Sequence, residues 1–158
     1  MTVLEDGSLQ TALRVKNTGS KQFAFTCALH TYFTVGHISG ASVKGLKGCT
    51  YEDGLQPPGS PAVTEEDDAV RFEGEVDRVY GTTNSLLTIH DDTNSREVNI
   101  HKNNFPDAVV WNPWIEKTKS LADMPDEDYQ KFVCVEVGAI RQPVSVQCSS
   151  EKSQKHSI

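Results

Sequence analysis

The sequence of 158 residues contains no apolar run of the length that a membrane span requires, and its first residues lack the basic-then-apolar pattern of a signal peptide. It also has no block of Lys and Arg, and its formal net charge is -7. We therefore expect neither a nucleic-acid partner nor a membrane partner. Because no targeting signal is present, we expect a cytoplasmic protein.

Cysteines are few and far apart, at positions 27, 49, 134 and 148. None forms a Cys-x-x-Cys pair, and the histidines at 30, 37, 90, 101 and 156 show no short ligand spacing. These spacings predict no metal site. Cys27 and Cys134 lie in apolar strand-like runs, where buried free thiols are common, which favours a reducing compartment.

Sequence signatures of several common enzyme folds are also missing. No glycine-rich phosphate loop leads from a strand into a helix, and there is no Gly-x-Ser-x-Gly motif. A helical pattern occurs only in residues 120–131, where at most two or three turns are predicted around Pro125. These absences argue against a βαβ fold.

The chain does contain many short strand-like segments. The clearest are Leu9–Lys16, 23–33, the predicted hairpin 86–90 with 96–102, Asp107–Asn112, 132–138 and 143–148. Many short strands with almost no helix predict an all-β fold, a sandwich or open barrel, over residues 1–148. The polar residues 149–158 are predicted to be a frayed tail.

Residues 23–33 (FAFTCALHTYF) alternate between two faces of a predicted strand. One face is bulky and apolar and is predicted to pack into the core. The other face has small side chains until it reaches His30 and Tyr32, which leaves room above the sheet for a ligand.

Glu136 is the lone carboxylate in the apolar run 132–138 (FVCVEVG). Burying an ionised carboxylate is costly unless it has partners or a function. Taken singly, the other candidates have ordinary explanations: His30 as a hydrogen-bonded strand residue, Asp77 as a partner of Arg78, and Trp111 as a core residue. An exposed Trp on a β-sheet face also commonly stacks on a sugar ring.

Four segments occur together in one order: ALHTYF at 28–33, GEVDRVY at 74–80, PDAVVWNPW at 106–114 and FVCVEVG at 132–138. Together they resemble the glucose-6-phosphate 1-epimerase (D-hexose-6-phosphate mutarotase) family, within the aldose 1-epimerase or galactose mutarotase-like superfamily. The resemblance covers about residues 5–145. It implies a large antiparallel β-sandwich, the galactose mutarotase-like supersandwich, with the sugar bound in an open concave face.

The resemblance implies that His30 is the general acid, that Glu136 is the general base and that Asp77 binds hydroxyls of a hexose 6-phosphate. Trp111 is a second candidate for sugar binding. The implied reaction interconverts the α and β anomers: the base takes the C1 hydroxyl proton, the acid protonates the ring oxygen, and the opened ring recloses after rotation. It requires no metal or organic cofactor.

Members of that family are roughly twice as long, and the resemblance places the missing half, with the arginines that bind the 6-phosphate, before Met1. We therefore expect a chain truncated at its N-terminus. A non-catalytic carbohydrate-binding remnant of the same fold is an alternative. A glycoside hydrolase that uses Asp77 and Glu136 is a further alternative, which the motif context favours less.

Overall fold

A computed structural model describes residues 1–158 and consists of two antiparallel β-sheets packed face to face. The first sheet contains, in spatial order, β1 (Thr2–Val3), β2 (Leu9–Lys16), β14 (Glu151–Ser157), β11 (Arg96–Asn103), β10 (Leu86–Asp91), β5 (Ala41–Lys44) and β8 (Ala69–Arg71). The second contains β3 (Phe23–Leu29), β13 (Phe132–Val146), β12 (Asp107–Asn112), β9 (Val76–Gly81), β6 (Thr50–Asp53) and β7 (Val63–Thr64), and β4 (Tyr32–Thr34) also pairs with β13. The all-β antiparallel sandwich expected from the sequence is confirmed.

The hydrophobic core lies between the two sheets. Ile89 and Ile100 from the first sheet and Val110 and Val135 from the second are almost completely buried there. Because side chains alternate along a strand, their neighbours in β12 and β13 point to the opposite face of the second sheet. We call this outer face of the second sheet the site face.

The strand predicted over 23–33 is interrupted, because β3 ends at Leu29 and β4 begins at Tyr32. The pairing with β13 nevertheless stays in phase across the break: Leu29 lies opposite Val137, and Tyr32 lies opposite Cys134. β13 itself continues to Val146, so the segments 132–138 and 143–148 belong mostly to one long strand. The interruption leaves His30 in a two-residue gap that faces β13.

Helical structure differs from the expectation. The one α-helix, α1, spans Trp114–Lys119, and the predicted segment 120–131 contains only a short 3-10 helix, Asp128–Lys131, at its end. The predicted helix is therefore wrong, because Pro125 lacks the N–H that would continue a helix and the chain turns around it. No helical segment has the length and apolar character needed to cross a bilayer.

Residues 149–158 do not fray in this structure, since they contain β14, which lies between β2 and β11. The prediction failed because the side chains that β14 turns inward are polar. Gln154 and His156 are buried, and the Cys27 thiol lies 3.0 Å from Oε1 of Gln154. All the cysteines are free thiols.

Candidate active site

A row of directly paired residues crosses the site face. Glu52, Val79, Val109 and Glu136 lie opposite one another on β6, β9, β12 and β13. Residues that pair directly in a sheet point to the same face. Glu136 therefore lies at one end of this row, next to an apolar surface formed by Val79 and Val109.

A second row, two residues along the same strands, carries Asp77, Trp111, Cys134 and Tyr32. The register thus places Glu136, Asp77 and Trp111 on one face, although they lie far apart in the sequence. The structure brings together every site residue that the sequence predicted. Their roles stay predictions.

The imidazole of His30 lies beside the carboxylate of Glu136, with 3.2 Å between Nε2 and Oε1. The in-phase pairing on either side of the β3–β4 break brings His30 opposite Glu136. The His30 side chain is 51% exposed, whereas that of Glu136 is only 10% exposed. One member of the pair is therefore open to solvent while the other is enclosed by the sheet.

Burial raises the pKa of the Glu136 carboxyl above its ordinary value, and the negative charge of Asp77 adds to this effect. The positive charge that His30 can carry opposes it. A carboxylate held in this way binds a proton more readily than an exposed glutamate. That property suits a general base that works near neutral pH.

Asp77 is half-buried on the site face, and burial together with the nearby Asp53 raises the pKa of its carboxyl, against an opposing effect of Lys117. The Asp77 carboxylate accepts no hydrogen bond from the protein, so it can accept one from a ligand. Asp77 does not pair with Arg78, the alternative that the sequence left open. Arg78 points to the other face, where its Nη1 lies 3.0 Å from Glu65 Oε2.

Aromatic rings pack around the imidazole of His30. Trp111 meets the His30 ring edge to face, at 5.9 Å between ring centroids, and Phe132 packs beside Trp111. Trp114, the other tryptophan, packs instead on Tyr129 in the connector. Trp111 therefore lies on the site face and is only partly a core residue.

Sequence reasoning missed Arg141 on this face. Its Nε lies 3.1 Å from Glu52 Oε1, and it lines two clefts of about 660 and 570 Å³. The Asp107 carboxylate accepts hydrogen bonds from the backbone N–H groups of both Ile140 and Arg141, at 2.7 and 2.9 Å. Pairing is irregular between Ala139 and Val144, so simple alternation along β13 could not have placed Arg141 here.

Sequence reasoning also assigned no role to Tyr32. Alternation along residues 23–33 had placed it on the same face as His30, and this was the available signal. Elsewhere in the structure, no group of three or more His, Cys, Asp and Glu side chains is arranged to hold a metal ion.

Comparison with known proteins points to one family. A family model described as aldose 1-epimerase matches residues 1–158. A curated protein of Cenchrus ciliaris called "Putative glucose-6-phosphate 1-epimerase" is 39% identical over 146 residues, which make up 92% of this chain and 44% of that protein. A Salmonella typhimurium protein of the same name is 37% identical over 115 residues, or 73% of this chain and 38% of that protein.

The crystal structure of "a putative mutarotase" from Salmonella typhimurium superimposes with a TM-score of 0.85 at 29% identity, covering 95% of this chain and 48% of the other. The chain thus spans about half the length of the relatives that it matches. The family model covers all of its residues, β14 included. The chain therefore belongs to the aldose 1-epimerase family.

Proposed function

We propose that this protein interconverts the α and β anomers of a hexose 6-phosphate, with His30 as general acid and Glu136 as general base. The observation that carries the proposal is the 3.2 Å separation of His30 Nε2 and Glu136 Oε1 on an open sheet face. Anomer exchange needs an acid and a base that act on two oxygens bonded to the same carbon. Groups that serve such closely spaced oxygens must themselves be neighbours.

In the proposed mechanism Glu136 removes the proton of the C1 hydroxyl while His30 donates a proton to the ring oxygen. The C1–O5 bond breaks, and C1 becomes the carbonyl carbon of the open-chain sugar. After rotation about the C1–C2 bond, the reverse transfers close the ring with the other configuration. The raised pKa of Glu136 and the availability of both protonation states of a histidine near neutral pH suit a reversible reaction.

The same face supplies groups that suit a sugar. The Asp77 carboxylate accepts no hydrogen bond from the protein and can accept bonds from sugar hydroxyls. Trp111 offers a partly exposed ring, and Val79 and Val109 form an apolar floor between the two ends of the site. Support for the 6-phosphate comes from the names of the curated relatives, which refer to glucose 6-phosphate.

The test is the rate of anomer exchange of glucose 6-phosphate, measured by NMR exchange spectroscopy, for the purified protein and the variants His30→Gln and Glu136→Gln. Loss of one proton-transfer group typically costs about 10²- to 10⁴-fold in rate, so each variant should fall to near the spontaneous rate. The chain offers a matched control. His90 Nδ1 and Glu97 Oε1 form a second His–Glu pair at 2.8 Å, on the first sheet, and Glu97→Gln should leave exchange unchanged.

Exchange rates measured with glucose and galactose, which carry no phosphate, show whether the protein requires a phosphorylated sugar. Faster exchange of glucose 6-phosphate than of glucose supports the phosphorylated substrate, and equal rates contradict it. A folded protein that binds glucose 6-phosphate without accelerating exchange would contradict the enzyme and favour the carbohydrate-binding alternative.

A further inference from the structure

We propose that Tyr32 is a positioning residue that holds the imidazole of His30 against Glu136. The inference rests on the proposed function of that pair and adds a residue to it. Tyr32 lies in β4, just beyond the gap that contains His30. Its side chain extends over the same face of the second sheet.

The two rings form a parallel stack. The centroids of His30 and Tyr32 are 4.9 Å apart, and the ring planes differ by only 6°. Trp111 stands perpendicular to both rings, at 5.9 Å from His30 and 6.1 Å from Tyr32. Stacking from one direction and an edge contact from another leave the imidazole few orientations.

His30 needs such support because of where it lies. It sits between β3 and β4 and not within either strand, and its side chain is half-exposed. A functional histidine is usually oriented by a hydrogen bond at its second ring nitrogen. Here the polar partner of the ring is Glu136 at Nε2, and aromatic contacts provide the remaining constraint.

Tyr32 is itself fixed well enough to act as a support. Its backbone pairs with Cys134 in β13, and its ring packs on Phe132 at 5.0 Å between centroids. Tyr32 can therefore hold the imidazole of His30 in one orientation.

Tyr32 is 50% exposed, so it could instead stack on the sugar. The two roles predict different kinetics. A positioning residue acts on the proton transfer, so its loss lowers kcat and leaves KM nearly unchanged. A residue that mainly stacks on the sugar changes KM.

The test compares Tyr32→Leu with Tyr32→Phe, which keeps the ring and removes only the hydroxyl. We expect Tyr32→Leu to lower kcat for glucose 6-phosphate exchange about 10- to 100-fold with KM within twofold, since small misplacement of a catalytic group is costly. Tyr32→Phe should restore kcat to within about twofold to threefold of wild type. A Tyr32→Leu variant with unchanged kcat, or with only a raised KM, overturns the proposal.

A second measurement is independent of activity. In the wild type, a ring stacked on His30 shifts the imidazole proton resonances upfield, and nuclear Overhauser contacts join His30 to Trp111. Both signals should persist in Tyr32→Phe, and in Tyr32→Leu the shift should disappear and the contacts weaken. A folded Tyr32→Leu protein that keeps the His30–Trp111 contacts at full strength shows that Tyr32 does not position the ring. A protein inactive on hexose phosphates but with the expected NMR changes would contradict the proposed function and leave the positioning role supported.

Discussion

The Asp77 carboxylate lies directly against Gly54: a Cβ atom at residue 54 would be 2.6 Å from Oδ2 and 2.7 Å from Cγ of Asp77. The backbone N–H of Gly54 also donates a hydrogen bond to the Asp77 carbonyl oxygen, at 2.7 Å. The absence of a side chain at residue 54 therefore determines where the Asp77 carboxylate can lie on the site face.

Gly54→Ala should push the Asp77 carboxylate out of place. If that carboxylate binds a sugar hydroxyl, we expect KM for glucose 6-phosphate to rise about tenfold, the loss of one charge-assisted hydrogen bond. Gly74→Ala is the control, because a Cβ there would meet nothing within 4 Å. Equal KM values for Gly54→Ala and wild type would show that Asp77 does not bind the substrate.

Glu136→Gln should make the protein more stable at neutral and alkaline pH while it removes activity. Burial raises the folded-state pKa of Glu136 above its ordinary value of 4.5, so the folded protein favours the protonated acid. The stabilisation that the protonated Glu136 gives the folded state is fully present below the pKa of Glu136 in the unfolded chain. It is lost as the pH rises through the higher pKa that Glu136 has in the folded protein. A neutral glutamine avoids this loss.

The measurement is the thermal midpoint of both proteins between pH 4 and pH 8.5. The advantage of Glu136→Gln should be largest at high pH and should shrink as the pH falls. The comparison is Glu97→Gln, which makes the same substitution at a side chain that is 58% exposed on the first sheet. A Glu136→Gln variant that is less stable than wild type at pH 8 would indicate that the pair with His30 outweighs the cost of burial.

Acid should weaken the first sheet at His156. This residue is buried in β14, burial lowers the pKa of its imidazole below 6.5, and its Nδ1 has no hydrogen-bond partner. A proton on His156 would therefore create a buried cation whose Nδ1 has no hydrogen-bond partner. Its contribution to stability is present above the unfolded pKa and is lost as the pH falls toward the lowered folded pKa.

Urea unfolding at pH 8 and pH 5 tests this expectation. Relative to His156→Gln, the free energy of unfolding of the wild type should fall between pH 8 and pH 5. His101→Gln, at an exposed position of β11, is the control for the substitution itself. An equal pH dependence of wild type and His156→Gln would assign the acid sensitivity to other groups.

Much of the site could be predicted because it depends on alternation along strands. The β12 boundaries match the sequence prediction, and alternation in residues 23–33 separated His30 and Tyr32 from the core face. Glu136 could be selected as a candidate because it is the only carboxylate in the apolar run 132–138. What a single sequence does not contain is the strand register, and only the register shows that His30 comes opposite Glu136.

The failures share one physical cause, which is that tertiary contacts outweigh local composition. Residues 151–157 are too polar to predict a strand, yet β2 and β11 pair with them on both sides. Asn112 holds the connector by donating hydrogen bonds to the carbonyl oxygens of Tyr129 and Phe132, at 2.8 and 3.0 Å, and accepting one from the Trp114 N–H. Those bonds fix a path that the helical pattern of the segment does not reveal.

The ammonium of Lys102 donates to three backbone carbonyl oxygens, those of Thr83, Phe105 and Pro106, at 3.2, 2.5 and 3.2 Å. All three N–H groups of the ammonium therefore have hydrogen-bond acceptors, two of them in the segment that leads into β12. In a native-state acylation experiment this amine should be among the slowest to react, while the exposed Lys47 reacts readily. The acylation rate of Lys102 would then report how often the segment that leads into β12 opens, without any probe being introduced into the chain.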